Sequence, residues 1–157
     1  MTMARWAGIF YLGTFVTGIV ALAAGTSMLV ANAVATACYV AVTLLFYTLF
    51  RPVNPTVSLV AGVVSAVGCA MNGLSLVNVA LLPINPLAVF GVYCVLIGYL
   101  ITQSPAMPNL LGVAMMIGGA SWLTFGVPPL AHVLLPFNYA PGILAEGALT
   151  VWLLAKA

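Results

Sequence analysis

Two long stretches of this chain carry no charged side chain at all: residues 6 to 50, a run of 45, and residues 52 to 145, a run of 94. The only Lys, Arg, Asp or Glu residues are Arg5, Arg51, Glu146 and Lys156. A water-facing domain carries roughly a quarter charged residues, whereas here 3% are charged and 65% are hydrophobic. Such a surface belongs in a bilayer. Disorder is excluded by the apolar content, and nucleic-acid binding by the lack of a basic patch able to neutralise several phosphates.

A spanning helix needs roughly 20 apolar residues, so breakers must divide the two runs. Gly25-Thr26-Ser27 separates spans near 7–25 and 28–50. Pro52 and Pro55 open a third near 56–80, because proline is tolerated in a first turn and disfavoured inside a helix. Leu82-Pro83-Ile84-Asn85-Pro86 ends it. A fourth covers about 87–103, Pro105 and Pro108 break it, and a fifth runs about 108–127 to Pro128-Pro129. Residues 130–140 read as an interfacial segment, and Pro141 opens a sixth span, about 141–156. The expected architecture is all-α: a polytopic integral membrane protein, one transmembrane domain over 1–157, a six-helix bundle with short loops. With six spans Arg5, Arg51 and Lys156 fall on one side, which the positive-inside rule makes cytoplasmic together with both termini. The expected location is the inner or plasma membrane. Ala21-Leu22-Ala23 imitates a signal-peptidase site, but the apolar stretch is longer than a usual signal segment.

Cys38, Cys69 and Cys94 fall inside spans, an odd number without a CxxC pair, so neither a disulfide framework nor a zinc site is expected. Pro52-Val53-Asn54-Pro55 and Pro105-Ala106-Met107-Pro108 echo one another as tight turns, each after a helix with a tyrosine near its end, Tyr47 or Tyr99. Gly91, Gly98, Gly112 and Gly118-Gly119 read as helix-contact glycines. No phosphate-binding loop or nucleophile elbow occurs, and no cofactor or metal is expected.

Tyr47-Thr48-Leu49-Phe50-Arg51-Pro52-Val53-Asn54 resembles the L-x-R-P-V-N turn of bacterial membrane proteins grouped as domain of unknown function 4386. Gly98-Tyr99-Leu100-Ile101 and Leu110-Leu111-Gly112-Val113 are similar to further family stretches. So is the ending, with Glu146-Gly147-Ala148-Leu149 followed by Trp152-Leu153-Leu154 and Lys156. The likeness runs from residue 39 onward, plus the start of the first span. The chain departs from the family in shorter extracellular connections, in Ala145 where a glycine is usual before the glutamate, and in a 103–109 turn without arginines. The resemblance implies a six-span fold and brings no established activity.

Polar side chains inside spans are costly and therefore informative. In the second span Asn32, Thr36, Tyr39, Thr43 and Tyr47 fall within an arc of about 80°, one face of a helix. Ser58, Gly62, Ser65, Cys69 and Asn72 do the same in the third, Gly142, Glu146 and Thr150 in the sixth, and Tyr11, Thr14 and Gly18 in the first. Faces of small and hydroxyl residues suit close helix packing. At a rise of 1.5 Å per residue, Glu146 lies about 7 Å in from the outside, Asn32 about 6 Å in, and Asn72 about 24 Å up from the inside. The shared depth predicts a polar pocket in the outer half, lined by Asn32, Tyr39, Asn72 and Glu146, with His132, Asn138 and Tyr139 at its mouth.

Three functions fit this pattern. The first is a non-enzymatic structural, accessory or small-ligand-binding membrane component. Its partners beyond the lipid bilayer would be another membrane protein, a second copy or a lipophilic small molecule. The second is an acid–base enzyme, of cyclase or isomerase type, on a lipophilic substrate, with Glu146 as general acid and His132 relaying protons. The third is a small proton-coupled transporter.

Overall fold

The computed structural model describes residues 2–23, 28–79 and 83–156, and is helical without strands among them. Its helices are α1 (Met3–Ala23), α2 (Met28–Phe50), α3 (Pro55–Ser75), α4 (Pro86–Gln103), α5 (Asn109–Leu123), α6 (Pro128–Leu134) and α7 (Ala140–Lys156). Short 3₁₀ turns at Thr124–Gly126 and Phe137–Tyr139 flank α6.

Two Asn-Pro pairs start helices by the same device. Asn54 Oδ1 accepts the Val57 N–H at 3.0 Å and Asn85 Oδ1 accepts the Leu87 N–H at 2.9 Å, with Pro55 and Pro86 in the first turns. A capping oxygen satisfies an otherwise free first-turn donor, and proline lacks the donor that would go unpaired there.

Three boundaries differ from the sequence reading. The first helix begins at Met3 rather than near residue 7, because Thr2 Oγ1 accepts the Arg5 N–H at 3.2 Å and caps it. The third stops at Ser75, short of residue 80. There Asn78 takes the left-handed conformation at φ 60°, with Asn78 N–H on the Ser75 carbonyl and Val79 N–H on that of Leu74. That pair of bonds is the Schellman termination, which asparagine tolerates better than most residues. The fifth gives way to a 3₁₀ turn at Thr124, before residue 127. The break expected at Gly25-Thr26-Ser27 lies outside the described residues, as does Leu82 of the second break.

The long helices form a closed ring in which α1 to α5 pack in chain order and α7 returns between α5 and α1. The centre is filled by Tyr11, Val42, Phe46, Tyr93, Ile97, Leu100, Met115 and Leu149, all buried. The outer faces are apolar, with Leu44, Leu110 and Leu144 exposed. Four of the described helices are long and apolar enough to cross a membrane: Leu29–Phe50, Pro55–Ser75, Pro86–Gln103 and Asn109–Gly126.

Glycine sets the tightest contact of the ring. Gly91 and Gly98 on α4 are seven residues apart, as are Gly112 and Gly119 on α5, so each pair lies on one face two turns apart. A Cβ added at Gly98 would stand 2.6 Å from the Gly112 carbonyl oxygen, and one at Gly119 would stand 2.6 Å from that of Gly91. The two backbones touch, as small-residue faces permit in lipid. Gly98→Leu and Gly119→Leu should each lower stability by about 1–3 kcal/mol, the usual cost of overpacking. Gly62→Ala, where an added Cβ meets nothing within 4 Å, should be neutral or slightly stabilising in the same thermal-unfolding assay.

Candidate functional site

The chain's single acid sits at the ring's centre, tied to three other helices. Glu146 projects from α7, one turn after Gly142. Its Oε1 accepts the Trp122 indole N–H from α5 at 2.8 Å and the Cys94 thiol from α4 at 3.6 Å. Its Oε2 accepts the Tyr11 hydroxyl from α1 at 2.9 Å. An indole N–H can only donate, so Oε1 acts as an acceptor. Three donors on its two oxygens offset the cost of placing the acid in an apolar interior.

Local sequence makes room for this arrangement. The Trp122 indole lies directly over Gly142, where any side chain would collide with the ring. On the same flank of α5, a Cβ added at Gly118 would stand 3.0 Å from the Ala145 Cβ. Small residues at 118, 142 and 145 thus bring α5 and α7 close enough for the indole to reach the carboxylate. Thr150 Oγ1 back-bonds to the Glu146 carbonyl at 2.8 Å.

Around the carboxylate stands an aromatic cluster. The Tyr11 ring meets those of Tyr39 and Phe46 edge-on, each at 5.8 Å between centroids, and Tyr39 in turn packs on Phe90 at 4.7 Å and Tyr93 at 5.8 Å. Tyr39 and Tyr93 are 7% and 1% exposed, and neither hydroxyl has a hydrogen-bond partner. The Tyr39 hydroxyl lies beside Tyr11 and Cys94 without hydrogen-bond geometry to either.

A second set of polar links joins α2 to α3. Asn72 Nδ2 donates to Thr36 Oγ1 at 2.8 Å, the Thr43 and Ser65 hydroxyls are 2.6 Å apart, and Ser58 Oγ donates to the Tyr47 carbonyl at 3.0 Å. The polar faces read from the sequence in these two helices therefore meet each other, rung by rung. Thr36 also back-bonds to the Asn32 carbonyl at 2.8 Å. Since Thr36 stands about one turn before Tyr39 along α2, Asn72 is displaced from the Glu146 cluster toward the start of that helix, and among the described residues the side chains bonded to Glu146 are Tyr11, Cys94 and Trp122.

The residues expected at a mouth divide. His132 is exposed on α6. Asn138 is buried: its Nδ2 donates to Thr124 Oγ1 at 3.2 Å, its carbonyl accepts Ser121 Oγ, and its Oδ1 has no partner. Tyr139 packs on Trp122 and Phe125, at 5.8 and 4.9 Å. Asn138 and Tyr139 thus clamp the C-terminal end of α5 against the start of α7. Tyr11, Trp122, Cys94 and Tyr93 were missed as site residues, because nothing local separates a donor aimed at an acid from an ordinary packing residue. The usable signal was stoichiometric: an acid without a cation needs donors, and at 1.5 Å per residue Trp122 stands at a depth matching Glu146.

These features define the class: an all-helical bundle, four of its described helices apolar and of membrane length, closed around one half-buried carboxyl group. Over residues 84–157 the chain matches the model of the family described as Domain of unknown function (DUF4386). That stretch holds α4 to α7, and with them Cys94, Trp122 and Glu146. It bears out the resemblance seen in the ending, while the Arg51 to Asn54 turn lies outside it. No curated protein and no solved structure matches the chain.

Tyr39 and Tyr93 differ from Tyr11 in a measurable way. Tyr11→Phe removes a bonded donor and should destabilise by about 1–3 kcal/mol, the cost of leaving a buried hydrogen-bonding group without its partner. Tyr39→Phe and Tyr93→Phe delete hydroxyls without partners and should leave the unfolding temperature unchanged or raise it, since an unsatisfied buried polar group is itself unfavourable.

Proposed function

We propose that this chain is a six-span integral membrane protein of the cell membrane, both termini cytoplasmic, acting as a non-enzymatic structural or accessory component. The observation that carries this reading is the way Glu146 is used. Both carboxylate oxygens are engaged by donors from α1, α4 and α5, so the acid is spent on closing the ring. In this reading α1 and α7 are spans alongside the four membrane-length helices, and the partner is another membrane protein or a second copy.

A second reading, a small ligand held beside Glu146, is favoured by the two buried tyrosine hydroxyls that lack partners. A polar guest reaching both would complete the hydrogen bonding that the chain leaves open.

Glu146→Gln and Glu146→Ala separate the two. The amide oxygen of Gln can still accept the indole N–H, so Glu146→Gln should fold with a modest drop in unfolding temperature and keep its partners. Glu146→Ala leaves the Tyr11 and Trp122 donors unpaired in an apolar interior and should cost about 2–5 kcal/mol. Native mass spectrometry of both variants, released gently from their own membranes, checks this. A Glu146→Gln protein that keeps its unfolding temperature but loses a bound small molecule would overturn the structural role in favour of the ligand site.

A further inference from the structure

The two proline turns that echo one another in the sequence come together in space. Between Pro52-Val53 and Pro105-Ala106 lies a cleft of about 500 Å³, with Leu49, Phe50, Val53 and Met107 among its lining residues. Phe50 and Met107 are 1% and 7% exposed and Ser104, also in the lining, 8%, so the buried part of the cleft is mainly apolar with one hydroxyl, and Gln103 adds a second polar side chain to the lining.

Every cation of the chain gathers at that end. Thr48 Oγ1 donates to Met3 Sδ at 2.8 Å, which brings the first turn of α1, with Arg5, to the last turn of α2, where Arg51 follows Phe50. A Cβ at Gly8 would stand 3.0 Å from the Leu153 Cβ, which places the end of α7, with Lys156, beside the same region. Arg5, Arg51 and Lys156 are all exposed, and the one acidic side chain of the sequence, Glu146, is bonded inside the ring.

We infer that the cleft binds an anionic phospholipid, one acyl chain lying on Phe50, Val53 and Met107 and the phosphate resting against Arg51. Arg51 is exposed and lies in the chain between Phe50 and Pro52, both lining residues, which puts the rim within reach of its long side chain while the acyl chain lies against the apolar part of the lining. A planar guanidinium matches phosphate oxygens two at a time, and basic sites between membrane helices on the cytoplasmic side suit anionic head groups. The apolar depth is what a free phosphate cannot use. The inference rests on the cleft, the membrane-length helices and the cytoplasmic orientation proposed above, but not on the role given to Glu146, so that role and the lipid site can fail separately.

The test is native mass spectrometry of the full chain, purified in a neutral detergent and supplied with phosphatidylglycerol or phosphatidylcholine of identical acyl chains. The wild type should retain phosphatidylglycerol several-fold better. Arg51→Gln should weaken that retention roughly fivefold, the worth of one arginine at an anionic surface, while Lys156→Gln leaves the preference in place. Ala106→Trp at the rim should reduce retention of both lipids, and millimolar inorganic phosphate should displace neither. Should Ala106→Trp fail to fold, Arg51→Gln at an exposed position still decides. Equal retention of the two lipids, equal effects of Arg51→Gln and Lys156→Gln, or displacement by phosphate alone would each overturn the inference.

Discussion

A carboxylate in an apolar interior is tolerable only if enough donors converge on it, and this requirement organises the bundle. Glu146 takes its donors from Tyr11, Cys94 and Trp122, on α1, α4 and α5, the first of them far from the other two along the chain. Meeting all three at once holds α1, α4 and α5 at set distances from α7. The ring closes where α7 packs between α5 and α1, and the carboxylate is the group both neighbours share. A salt bridge could have served the same end at greater desolvation cost. Neutral donors satisfy the acid while adding no second charge.

The glycines are the other half of this economy. In lipid no hydrophobic force draws apolar helices together, so close backbone contact and interhelical hydrogen bonds carry the association. The α4–α5 pair rests on glycines at seven-residue spacing, facing one another across the interface. Between α5 and α7 the same device has a chemical purpose, because the bare backbone at Gly142 is where the Trp122 indole lies. The α2–α3 pair uses hydroxyls and an amide instead, and its three links recur along the shared face. The bundle therefore combines two kinds of interface, one held by shape and one by hydrogen bonds.

Particular residues show how far the chain could be read in advance. The polar faces of α2 and α3 were legible because helical periodicity is a local property, and each face follows from one helix alone. The prolines near 55 and 86 marked those helix starts to within a residue for the same reason, while the capping role of Asn54 and Asn85 emerged only in the structure. Asn78 did not announce its helix end, since asparagine is as common in turns as in left-handed caps. Glu146 stood out as the lone acid, but depth arithmetic grouped it with Asn32 and Asn72. Rise along an axis gives height and says nothing of which neighbours lie across the ring. Asn72 is drawn to Thr36 because α3 packs on α2, while α7 faces α1 and α5.

The sequence by itself determined that this chain is built of apolar helices of membrane length, where most of them start and stop, and that one acid must be housed among them. These follow from charge, proline and periodicity, which act over a few residues. Which side chains house the acid was decided only in three dimensions. Tyr11, Cys94 and Trp122 are as many as 111 residues apart along the chain, and only the closed order of the helices makes them neighbours. That order depends on matching small-residue faces between helices, a pairwise property that no single segment contains.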